Sequence, residues 1–424
     1  MDSIKIIDTN VEFFHQRLVK PLQISSGLIS EITEARARVT VDVDGREATG
    51  WGSIYLSDVW SWPEPSLTHD QRDRALRNLC EYIADNLAAF CGTADHPLEL
   101  GLRLHESICH GEAMSRVPSA LACAMCASPF DAAIHDAVGI ALDKSAFDLY
   151  EEDTPIPSGD PHFRQQGVCA AIRRMLQRPP RPECDAWLIV SKADSLSDDV
   201  APWVRDRGYR AFKVKTLGRD NGADVARTVE VYQAVKQFGA ARPRLTVDSN
   251  EANPDAASVL EFLEMLKAAD AEAFEALEYV EQPTGRDITV SRNDWRQVTR
   301  LKPVLLDEGL TGFEVLDEAV AQGWSGFALK TCKGHSFALT AAAWAHERGL
   351  LLALQDLTNP GFSAIHAALF AAHVPTLNGV ELNSPQYTPA ANGEWLPRLS
   401  GLLEPREGMH RIADASPIGL GSML

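Results

Sequence analysis

The chain has 424 residues, of which 45% are hydrophobic, so it is long enough for a barrel plus a second domain with a large buried core. Its formal net charge of −19 at pH 7 argues against nucleic acid or an anionic membrane as a partner. Charged residues stand near the start where a signal peptide needs an apolar stretch, so we expect none, and no run reaches the ~20 apolar residues of a membrane helix. With eight scattered cysteines, these features predict a cytoplasmic protein.

Residues 1–135 differ in pattern from the rest of the chain. Two β-like runs and two helical runs follow one another, at 4–14, 34–43, about 69–92 and about 120–150. The turn Asp44-Gly45 ends the second β-like run. Two irregular stretches with turn-forming residues, 20–27 and 57–65, lie between these elements. We therefore expect an α+β domain over 1–135, with a small antiparallel sheet followed by helices.

Beyond Trp187, apolar runs alternate with helical segments. The eight runs are Ala186–Val190, Ala211–Val214, Leu245–Val247, Tyr279–Val280, Val304–Leu306, Phe327–Leu329, Leu351–Leu354 and Gly379–Leu382. Helical segments such as Val225–Phe238, Ala256–Ala269 and Phe313–Ala321 separate them. This alternation favours a TIM-type barrel over 136–383. An open doubly wound sheet is the weaker alternative, because no Gly-rich phosphate loop follows the first strand.

Two further segments accompany the predicted barrel. Residues 151–185 hold five prolines between Pro155 and Pro182, and we expect them to form a surface segment before the first strand. Residues 384–424 follow the eighth run and are interrupted by Pro and Gly. We expect this C-terminal segment to pack back on the first domain.

Lysines end two of the apolar runs. Lys213 and Lys215 are two residues apart on one strand, so both side chains point to the barrel interior. A buried lysine is costly unless it has a function or a paired anion. Two adjacent ammonium groups lower a lysine pKa towards the working pH, which suits acid/base chemistry. Lysines that extend along the rim into water are the alternative. Lys330 ends the sixth run, across the barrel from the second.

Three carboxylates end the runs between those lysines. Asp248, Glu281 and Asp307 lie 33 and then 26 residues apart, which fits one strand–helix unit for each. Carboxylates that converge repel one another and need a cation, and an all-oxygen set suits Mg²⁺ or Mn²⁺. For any single Asp at a strand end, a helix N-cap is the commoner role. Glu308, whose side chain points to the other side of the strand, is the alternative third ligand.

Five short motifs in this order resemble the enolase superfamily, in particular its muconate lactonizing enzyme subgroup: KxK at 213–215, DxN at 248–250, EQP at 281–283, DE at 307–308 and LK at 329–330. Residues 20–27 and Gly50-Trp51-Gly52 are similar to that group's N-terminal capping domain, so the resemblance covers nearly the whole chain. It implies a capped barrel of the (β/α)7β type. It also implies Mg²⁺ as cofactor with Mn²⁺ as a substitute, a small-molecule carboxylate substrate and a homo-oligomer.

The resemblance also implies roles for individual residues. Substrate carboxylate oxygens would bind the metal, and a lysine would remove the proton α to them. Lys215 would serve one face of the α-carbon and Lys330 the other. Lys213 would touch the substrate carboxylate and depress the pKa of Lys215, and Asn250 and Glu308 would support these groups. Residues of the cap loops and of the last two strands would contact the substrate: Gln23, Ile24, Ser25, Tyr55, Trp60, Asp356, Glu381 and Asn383.

The chain departs from the subgroup's pattern at several strand ends. Residues 330–335 lack the double glycine common after the sixth strand. Residues 355–356, at the end of the seventh strand, contain no His, which disfavours the mandelate racemase subgroup. The eighth strand carries Glu381-Leu-Asn383 where dipeptide epimerases show Asp-x-Asp. One carboxylate is lost there, which puts a dipeptide substrate in doubt.

The favoured function is a metal-dependent isomerase or lyase that abstracts the proton α to a carboxylate through a metal-stabilised enolate. Cycloisomerase, dehydratase and racemase or epimerase activities all remain open. A non-catalytic barrel that acts as a binding module is one alternative. A lost activity would have no reason to keep charges that destabilise a core, so we disfavour it. A metal-dependent hydrolase is another, but a lysine on each face fits α-proton chemistry better.

Overall fold

The computed structural model describes residues 3–163 and 167–424. Residues 1 and 2 of the predicted cap, and 164–166 of the predicted surface segment, lie outside the described residues. The fold is a TIM-type barrel beneath an N-terminal α+β cap. Three antiparallel strands, in the order β1-β2-β3, form the cap sheet. Their bounds are Ile4–Ile24 for β1, Gly27–Val43 for β2 and Arg46–Tyr55 for β3.

The β1–β2 hairpin is longer than predicted. Residues 20–24, expected within a loop, continue β1 after a register shift between Arg17 and Leu22. Leu22 and Ile24 are buried, so their burial outweighs the turn-forming composition of the stretch. The Nε2 of Gln23 donates to the carbonyls of Ile24 and Gly27, which fastens the turn at the hairpin tip. The hairpin tip is therefore an ordered, hydrogen-bonded extension of the sheet.

The cap helices cover one side of this sheet. They are α1 Asp58–Ser61, α2 His69–Cys91, α3 Pro97–Cys109, α4 Ala113–Arg116 and α5 Ala120–Leu142. Thr68 begins α2 with a reciprocal capping box to Gln71, and α5 ends at the left-handed Asp143. The helix over 69–92 agrees with the sequence prediction, whereas α3 was not predicted. The predicted domain boundary at 135/136 falls inside α5.

Two glycines of β3 set the distance between the cap sheet and α5. A Cβ on Gly50 would lie 2.3 Å from the backbone nitrogen of Ala137, and one on Gly52 would lie 2.2 Å from the Pro129 carbonyl oxygen. The strand backbone therefore lies directly on the helix backbone, where no side chain fits. This close approach explains why a glycine-containing stretch forms a strand here.

The barrel is a seven-stranded parallel sheet in the order β11-β10-β9-β8-β7-β6-β5. Its strands are β5 Trp187–Val190, β6 Ala211–Lys215, β7 Arg244–Asp248, β8 Leu277–Glu281, β9 Val304–Leu306, β10 Gly326–Lys330 and β11 Leu351–Gln355. The short strand β4, Glu183–Asp185, pairs separately with β12, Met409–Arg411. Seven of the eight apolar runs are thus strands within one or two residues of their predicted bounds.

The eighth run closes the barrel without forming a regular strand. Glu381 makes an isolated parallel bridge with Gln355, and its N–H donates to the Leu354 carbonyl at 3.1 Å. On the other side, the Asn383 side-chain amide donates to the Trp187 carbonyl at 3.0 Å. A side chain thus replaces the backbone ladder at the seam between β11 and β5.

Helices surround the barrel and continue into the C-terminal segment. They are α6 Gly167–Met175, α7 Ala201–Arg207, α8 Asn221–Phe238, α9 Ala256–Ala269, α10 Ala271–Ala276, α11 Glu314–Gln322, α12 His335–Glu347, α13 Gly361–His373, α14 Ser384–Tyr387 and α15 Ser400–Leu403. Other short helical turns occupy Ala146–Asp148, Asp160–His162, Leu196–Val200, Val298–Arg300, Thr331–Lys333 and Pro389–Trp395. Among the helices of residues 3–163 and 167–424, none combines the length and the apolar composition of a membrane span.

The segments flanking the barrel are packed rather than loose. Val168 and Ile172 of α6 are fully buried, so the predicted surface segment 151–185 contributes to the core. In the C-terminal segment, Glu394 lies 3.4 Å from Arg36 of β2 in the cap. The pairing of β12 with β4 joins the same segment to the chain just before the first barrel strand. The C-terminal segment thus contacts both the cap and the barrel side.

Substituting Gly52→Ala should lower the stability of the cap. The added methyl would meet the α5 backbone, and overpacking of this kind costs about 1–3 kcal/mol. Thermal unfolding should show a lower midpoint for G52A. Gly393→Ala is the matched control, because no atom lies within 4 Å of the added Cβ. Equal midpoints for the two variants would contradict the close approach of strand and helix.

Candidate active site

The charged residues of the motifs occupy the last positions of the barrel strands. In the parallel ladder, Lys215 pairs with Asp248, and Asp248 pairs with Glu281. Lys330 occupies the corresponding end of β10, opposite Gln355 of β11. Because parallel strands share their carboxyl ends, these side chains meet at one mouth of the barrel. The register thus brings together residues that are far apart in sequence.

The β6 lysines contact the carboxylates of the next two strands. Lys213 Nζ lies 2.7 Å from Glu281 Oε1 and 3.2 Å from Asp248 Oδ2. Lys215 Nζ lies 2.6 Å from Asp248 Oδ2 and 3.0 Å from Asn250 Oδ1. Asp248 is 1% exposed and Glu281 is 0% exposed, so the charge-assisted contacts with lysine replace the hydration of both carboxylates. Both lysines face the barrel interior, as their spacing predicts.

A second pair of lysines holds the remaining carboxylate from the other side. Lys330 Nζ lies 2.9 Å from Asp307 Oδ2 and 4.0 Å from Glu281 Oε1. The Gln355 side chain accepts from Lys330 and donates to Glu281. Lys333 Nζ lies 3.1 Å from Asp307 Oδ1 and also donates to the Asp307 carbonyl. The lysines thus link all three carboxylates of the predicted metal site into one network.

Sequence reasoning did not assign roles to Gln355 and Lys333. Gln355 is the last residue of β11, so its strand-end position was a usable signal. Lys333 follows Lys330 by one helical turn and is 1% exposed. Its contact with Asp307 depends on how the chain turns after β10, which the residue pattern does not specify.

The three carboxylates differ in how easily they ionise. Burial alone would raise the pKa of Asp248, but Lys215 and Lys213 outweigh it and lower that pKa to about 2. Burial opposes Lys330 and Lys333 in the same way at Asp307, whose pKa is also lowered. Glu281 lies between them, and burial together with Asp248 and Asp307 raises its pKa well above the usual value. Three neighbouring carboxylates cannot all ionise easily without more positive charge.

The pKa values of Lys213 and Lys330 are raised, whereas adjacent lysines on one strand predict a lowered lysine pKa. Burial would lower the pKa of Lys213, but Glu281, Glu381 and Asp248 outweigh it and raise the pKa well above normal. Burial likewise opposes Asp307 and Glu281 at Lys330, whose pKa is raised. The sequence shows adjacent lysines on one strand, but it does not show the carboxylates that other strands bring to them.

Glu308 faces away from the lysine network. Its Oε1 accepts the indole N–H of Trp60 at 2.9 Å and the Asn250 side-chain amide at 3.0 Å. Burial, followed by the charges of Asp307 and Asp248, raises the pKa of Glu308 to about 7. Of the two alternatives for a third ligand, Asp307 is the one in the network with Asp248 and Glu281, and this geometry favours it.

A cavity of about 60 Å³ lies between these residues and the cap. Its barrel side includes Lys213, Lys215 and Lys330, and its cap side is apolar. The apolar residues include Leu22, Ile24, Ile29, Ile32 and Trp60. The centre of the Trp60 ring lies 5.5 Å from Lys330 Nζ, within the range of a cation–π contact. The cap thus covers the charged mouth with hydrocarbon and one indole.

The predicted substrate-contact residues divide between this cavity and other places. Ile24, Trp60, Asp356 and Glu381 line the cavity. Burial raises the pKa of Asp356 to about 8, and Glu381 Oε2 lies 3.4 Å from Lys213 Nζ. Both carboxyl groups lie at the ends of the seventh and eighth barrel segments, across the mouth from β7 and β8.

Four predicted contact residues do not line the cavity. Gln23 and Ser25 lie in an adjacent groove, and the Ser25 hydroxyl donates to the Asn250 carbonyl at 2.5 Å. Tyr55 is fully buried in the cap core, and its N–H donates to Asn359 Oδ1 at 2.6 Å. The Asn383 side-chain amide donates to the Trp187 carbonyl where the barrel closes. Tyr55 was predicted from its nearness in sequence to Trp60, but it is the last residue of β3 and its side chain is fully buried.

The donor set fits a divalent cation, although the ligands are not assembled around one. In residues 3–163 and 167–424, no three His, Cys, Asp or Glu side chains are grouped to hold a metal. Ammonium groups of Lys213 and Lys330 lie between the carboxylates instead. The mouth holds two more carboxyl groups than ammonium groups: Asp248, Glu281, Asp307, Glu308, Asp356 and Glu381 against Lys213, Lys215, Lys330 and Lys333. Mg²⁺ and Mn²⁺ prefer all-oxygen ligands, which these carboxyl groups supply.

Arg286 fastens the cap segment that carries Trp60. Its guanidinium forms a close ion pair with Glu251, at 2.5 Å and 3.0 Å, beside the Asp248–Asn250 turn. The same group donates to the carbonyls of Trp60 and Ser61, both at 3.1 Å. We call residues 57–62 the lid segment. Arg286 therefore couples the lid segment to the barrel mouth.

Comparisons with known proteins agree with this architecture. A family model described as enolase C-terminal domain-like matches residues 195–421. Muconate lactonizing enzyme from Pseudomonas fluorescens, solved with muconolactone, has 20% identity and a TM-score of 0.67, covering 98% of this chain and 96% of its own. An enolase from Bradyrhizobium, complexed with magnesium and mandelic acid, has 17% identity and a TM-score of 0.63, with 99% and 96% covered.

A third solved structure is also similar to this chain. Dipeptide epimerase from Enterococcus faecalis, complexed with Mg and L-Leu-L-Tyr, has 16% identity and a TM-score of 0.65, covering 98% of this chain and 99% of its own. At these identities the likeness shows the fold. Comparison with curated protein sequences finds no match.

Substituting Arg286→Met should loosen the lid segment. The change removes the ion pair to Glu251 and two donors to lid carbonyls, each charge-assisted bond contributing about 1.5–3 kcal/mol. Amide hydrogen exchange at Ser61 and Trp62, whose N–H groups are bonded within the segment, should accelerate at least about tenfold. Arg296→Met, which removes an exposed arginine paired with Asp294, is the control. Equal exchange in both variants would show that Arg286 does not hold the lid.

Proposed function

The chain belongs to the enolase C-terminal domain-like family, and we propose that it is an enzyme that removes the proton α to a carboxylate of a small substrate, with a divalent cation as cofactor. The observation that carries this proposal is the placement of Lys215 and Lys330. They end the second and sixth barrel strands, line one cavity and flank three buried carboxylates. Strands four apart in an eight-membered barrel lie across the axis from each other.

Asp248, Glu281 and Asp307 would hold the cation, with Mg²⁺ as the expected ion and Mn²⁺ as a substitute. When bound, the cation would stabilise negative charge that develops on the substrate carboxylate. Its charge would also offset the two extra carboxyl groups of the mouth. Burial and the charges of Asp248 and Asp307 raise the pKa of Glu281, and a cation held beside it would favour its ionised form.

The lysines would move the proton. Lys215 Nζ is anchored by Asp248 and Asn250, and Lys330 Nζ by Asp307 and Gln355, so each ammonium is fixed on its own side. A substrate carbon between them could lose a proton to one lysine and gain one from the other, which gives racemisation or epimerisation. If one lysine stays protonated, its charge stabilises the enolate and elimination or cycloisomerisation becomes possible.

The cap would exclude water and contact the non-reacting part of the substrate. Ile24, Ile29 and Ile32 present branched hydrocarbon to the cavity, and Trp60 covers Lys330. Removing water from around the lysines and carboxylates strengthens their interactions with a charged substrate. A cavity wall of this kind suits a substrate with an apolar portion. The chemical step would then belong to the barrel and substrate selection largely to the cap.

Neutralising any of the three proposed ligands should weaken cation binding. Calorimetric titration with Mg²⁺ should show one site in the wild-type protein, and D248N, E281Q and D307N should each lose at least about tenfold in affinity. Asp287→Asn is the control for charge alone, since Asp287 is exposed. A greater loss in E308Q than in D307N would make Glu308 the third ligand.

Removing either lysine should slow α-proton exchange. With Mg²⁺ present and a panel of carboxylates in D₂O, Lys215→Ala and Lys330→Ala should each reduce exchange by ~10²–10⁴-fold, the usual contribution of a positioned proton donor or acceptor. Lys236→Ala, at an exposed pair with Glu272, should leave exchange unchanged.

The pattern of residual exchange would separate the candidate reactions. Under racemisation, each lysine variant still exchanges the proton of one enantiomer. Under elimination, only one of the two lysines supports exchange. Full exchange in either variant would remove that lysine from the mechanism. No exchange by the wild-type protein with any acid would favour a non-catalytic barrel.

A further inference from the structure

A second concave surface adjoins the catalytic cavity, with a volume of about 230 Å³. We call it the cationic groove and define it by Gln23, Ile24, Ser25, Lys192, Lys215, Thr216, Leu217, Arg219, Asn250 and Ala252. Three of these residues are basic and none is acidic. In a chain with 59 Asp and Glu against 40 Lys and Arg, a wall with this composition is unusual.

The two outer cations of the groove have no hydrogen-bond or ion-pair partner among the described residues. Lys192 and Arg219 are exposed, and neither forms a hydrogen bond or an ion pair within 4 Å in the part of the chain that the structure describes. Neighbouring cations at the same rim behave differently: Lys20 pairs with Asp194 at 2.9 Å, and Arg227 pairs with Glu230 at 2.8 Å. The charge of Lys192 acts on Asp224, but the Asp224 carboxylate already accepts the backbone N–H groups of Leu217 and Gly218.

The groove and the cavity meet at Lys215. Both are lined by Ile24, Lys215 and Asn250, so they lie on two sides of the same catalytic lysine. The cavity, at about 60 Å³, is smaller than the groove, at about 230 Å³. A substrate longer than the cavity would extend into the groove, which lies directly beyond Lys215.

We propose that the cationic groove binds a second anionic group of the substrate, located on the far side of the reacting carbon from the three carboxylates. This inference rests on the proposed function, because it takes Lys215 as the residue beside that carbon. Arg219 offers a planar fork of donors for a carboxylate or similar oxyanion, and Lys192 adds a mobile point charge. The substrate class is therefore a dianionic acid rather than a simple monocarboxylate.

The hairpin tip gives the groove its wall on the cap side. Ser25 donates to the Asn250 carbonyl, which joins the tip to the barrel rim between the groove and the cavity. A ligand that spans both spaces would pass beside this contact. Its distal anion would then be held at the junction of cap and barrel, where closing the cap and binding the substrate depend on each other.

Equilibrium binding of paired acids tests the proposal. Linear dicarboxylates from succinate to adipate would be compared by calorimetry with monocarboxylates of the same chain length, with Mg²⁺ at ~0.15 M salt. At least one dicarboxylate should bind about tenfold tighter than its monocarboxylate partner, as one charge-assisted contact provides. The double variant Lys192→Gln/Arg219→Gln should lose most of that preference and bind monocarboxylates as the wild type does.

A matched double variant controls for net charge. Arg242→Gln/Lys267→Gln removes two exposed cations near the opposite end of the strands and should keep the preference. No dicarboxylate preference in the wild type would overturn the proposal. The proposal would also be overturned if the groove variant bound dicarboxylates and monocarboxylates more weakly by the same factor, and if high salt removed this difference from the wild type. That pattern indicates long-range attraction without a specific site.

Proton exchange measured on the same samples separates this inference from the proposed function. Exchange of α-protons without any dicarboxylate preference overturns the groove assignment and leaves the proposed function standing. A dicarboxylate preference that the groove variant removes, in a protein that exchanges no acid, supports the anion site and overturns the proposed chemistry.

Discussion

Asp248, Glu281 and Asp307 lie buried at the carboxyl ends of adjacent barrel strands. Lysines of β6, of β10 and of the turn after β10 balance the repulsion between these carboxylates. This balance depends on the register of the parallel ladder, which places Lys215, Asp248 and Glu281 side by side. A shift of one residue in any of these strands would turn a charge into the hydrophobic layer between sheet and helices. Correct closure of the barrel is therefore also the condition for a neutralised mouth.

The cap is organised around the same charges. Its hairpin places isoleucines over the mouth, and its lid segment places Trp60 over Lys330 with the indole N–H on Glu308. Arg286 and Glu251 fasten that segment to the barrel, and Ser25 fastens the hairpin tip. Apolar side chains so close to ionised groups keep water out and strengthen every charge contact beneath them. The cap and the charged mouth depend on each other in this way, although they come from different parts of the chain.

The barrel strands and their terminal charges could be predicted because both are local signals. An apolar run of four or five residues followed by Lys, Asp or Glu identifies a strand and its functional end together, and α9 matched its predicted bounds. The continuation of β1 to Ile24 and the strand around Gly50 and Gly52 were missed, because burial and contact with α5 override local composition there. The irregular eighth segment closes through the side chain of Asn383, which a strand pattern cannot reveal.

The pKa values of the site show the same limit more sharply. A pair of lysines on one strand predicts a lowered lysine pKa, but Lys213 has two carboxylates within 3.2 Å that arrive from β7 and β8, and its pKa is raised. The distances to these carboxylates decide whether the lysine pKa rises or falls, and the spacing of residues along the chain does not specify distances between strands.

The net charge of the whole chain is equally uninformative about the site. At physiological salt the Debye length is about 8 Å, so a net charge of −19 is largely screened from an anion at the mouth. What such an anion meets is the local field of Lys215 and the groove beside it, where the basic residues outnumber the acidic ones. An acidic chain can thus attract an anionic substrate, because only the last few ångströms of its surface carry the relevant charge.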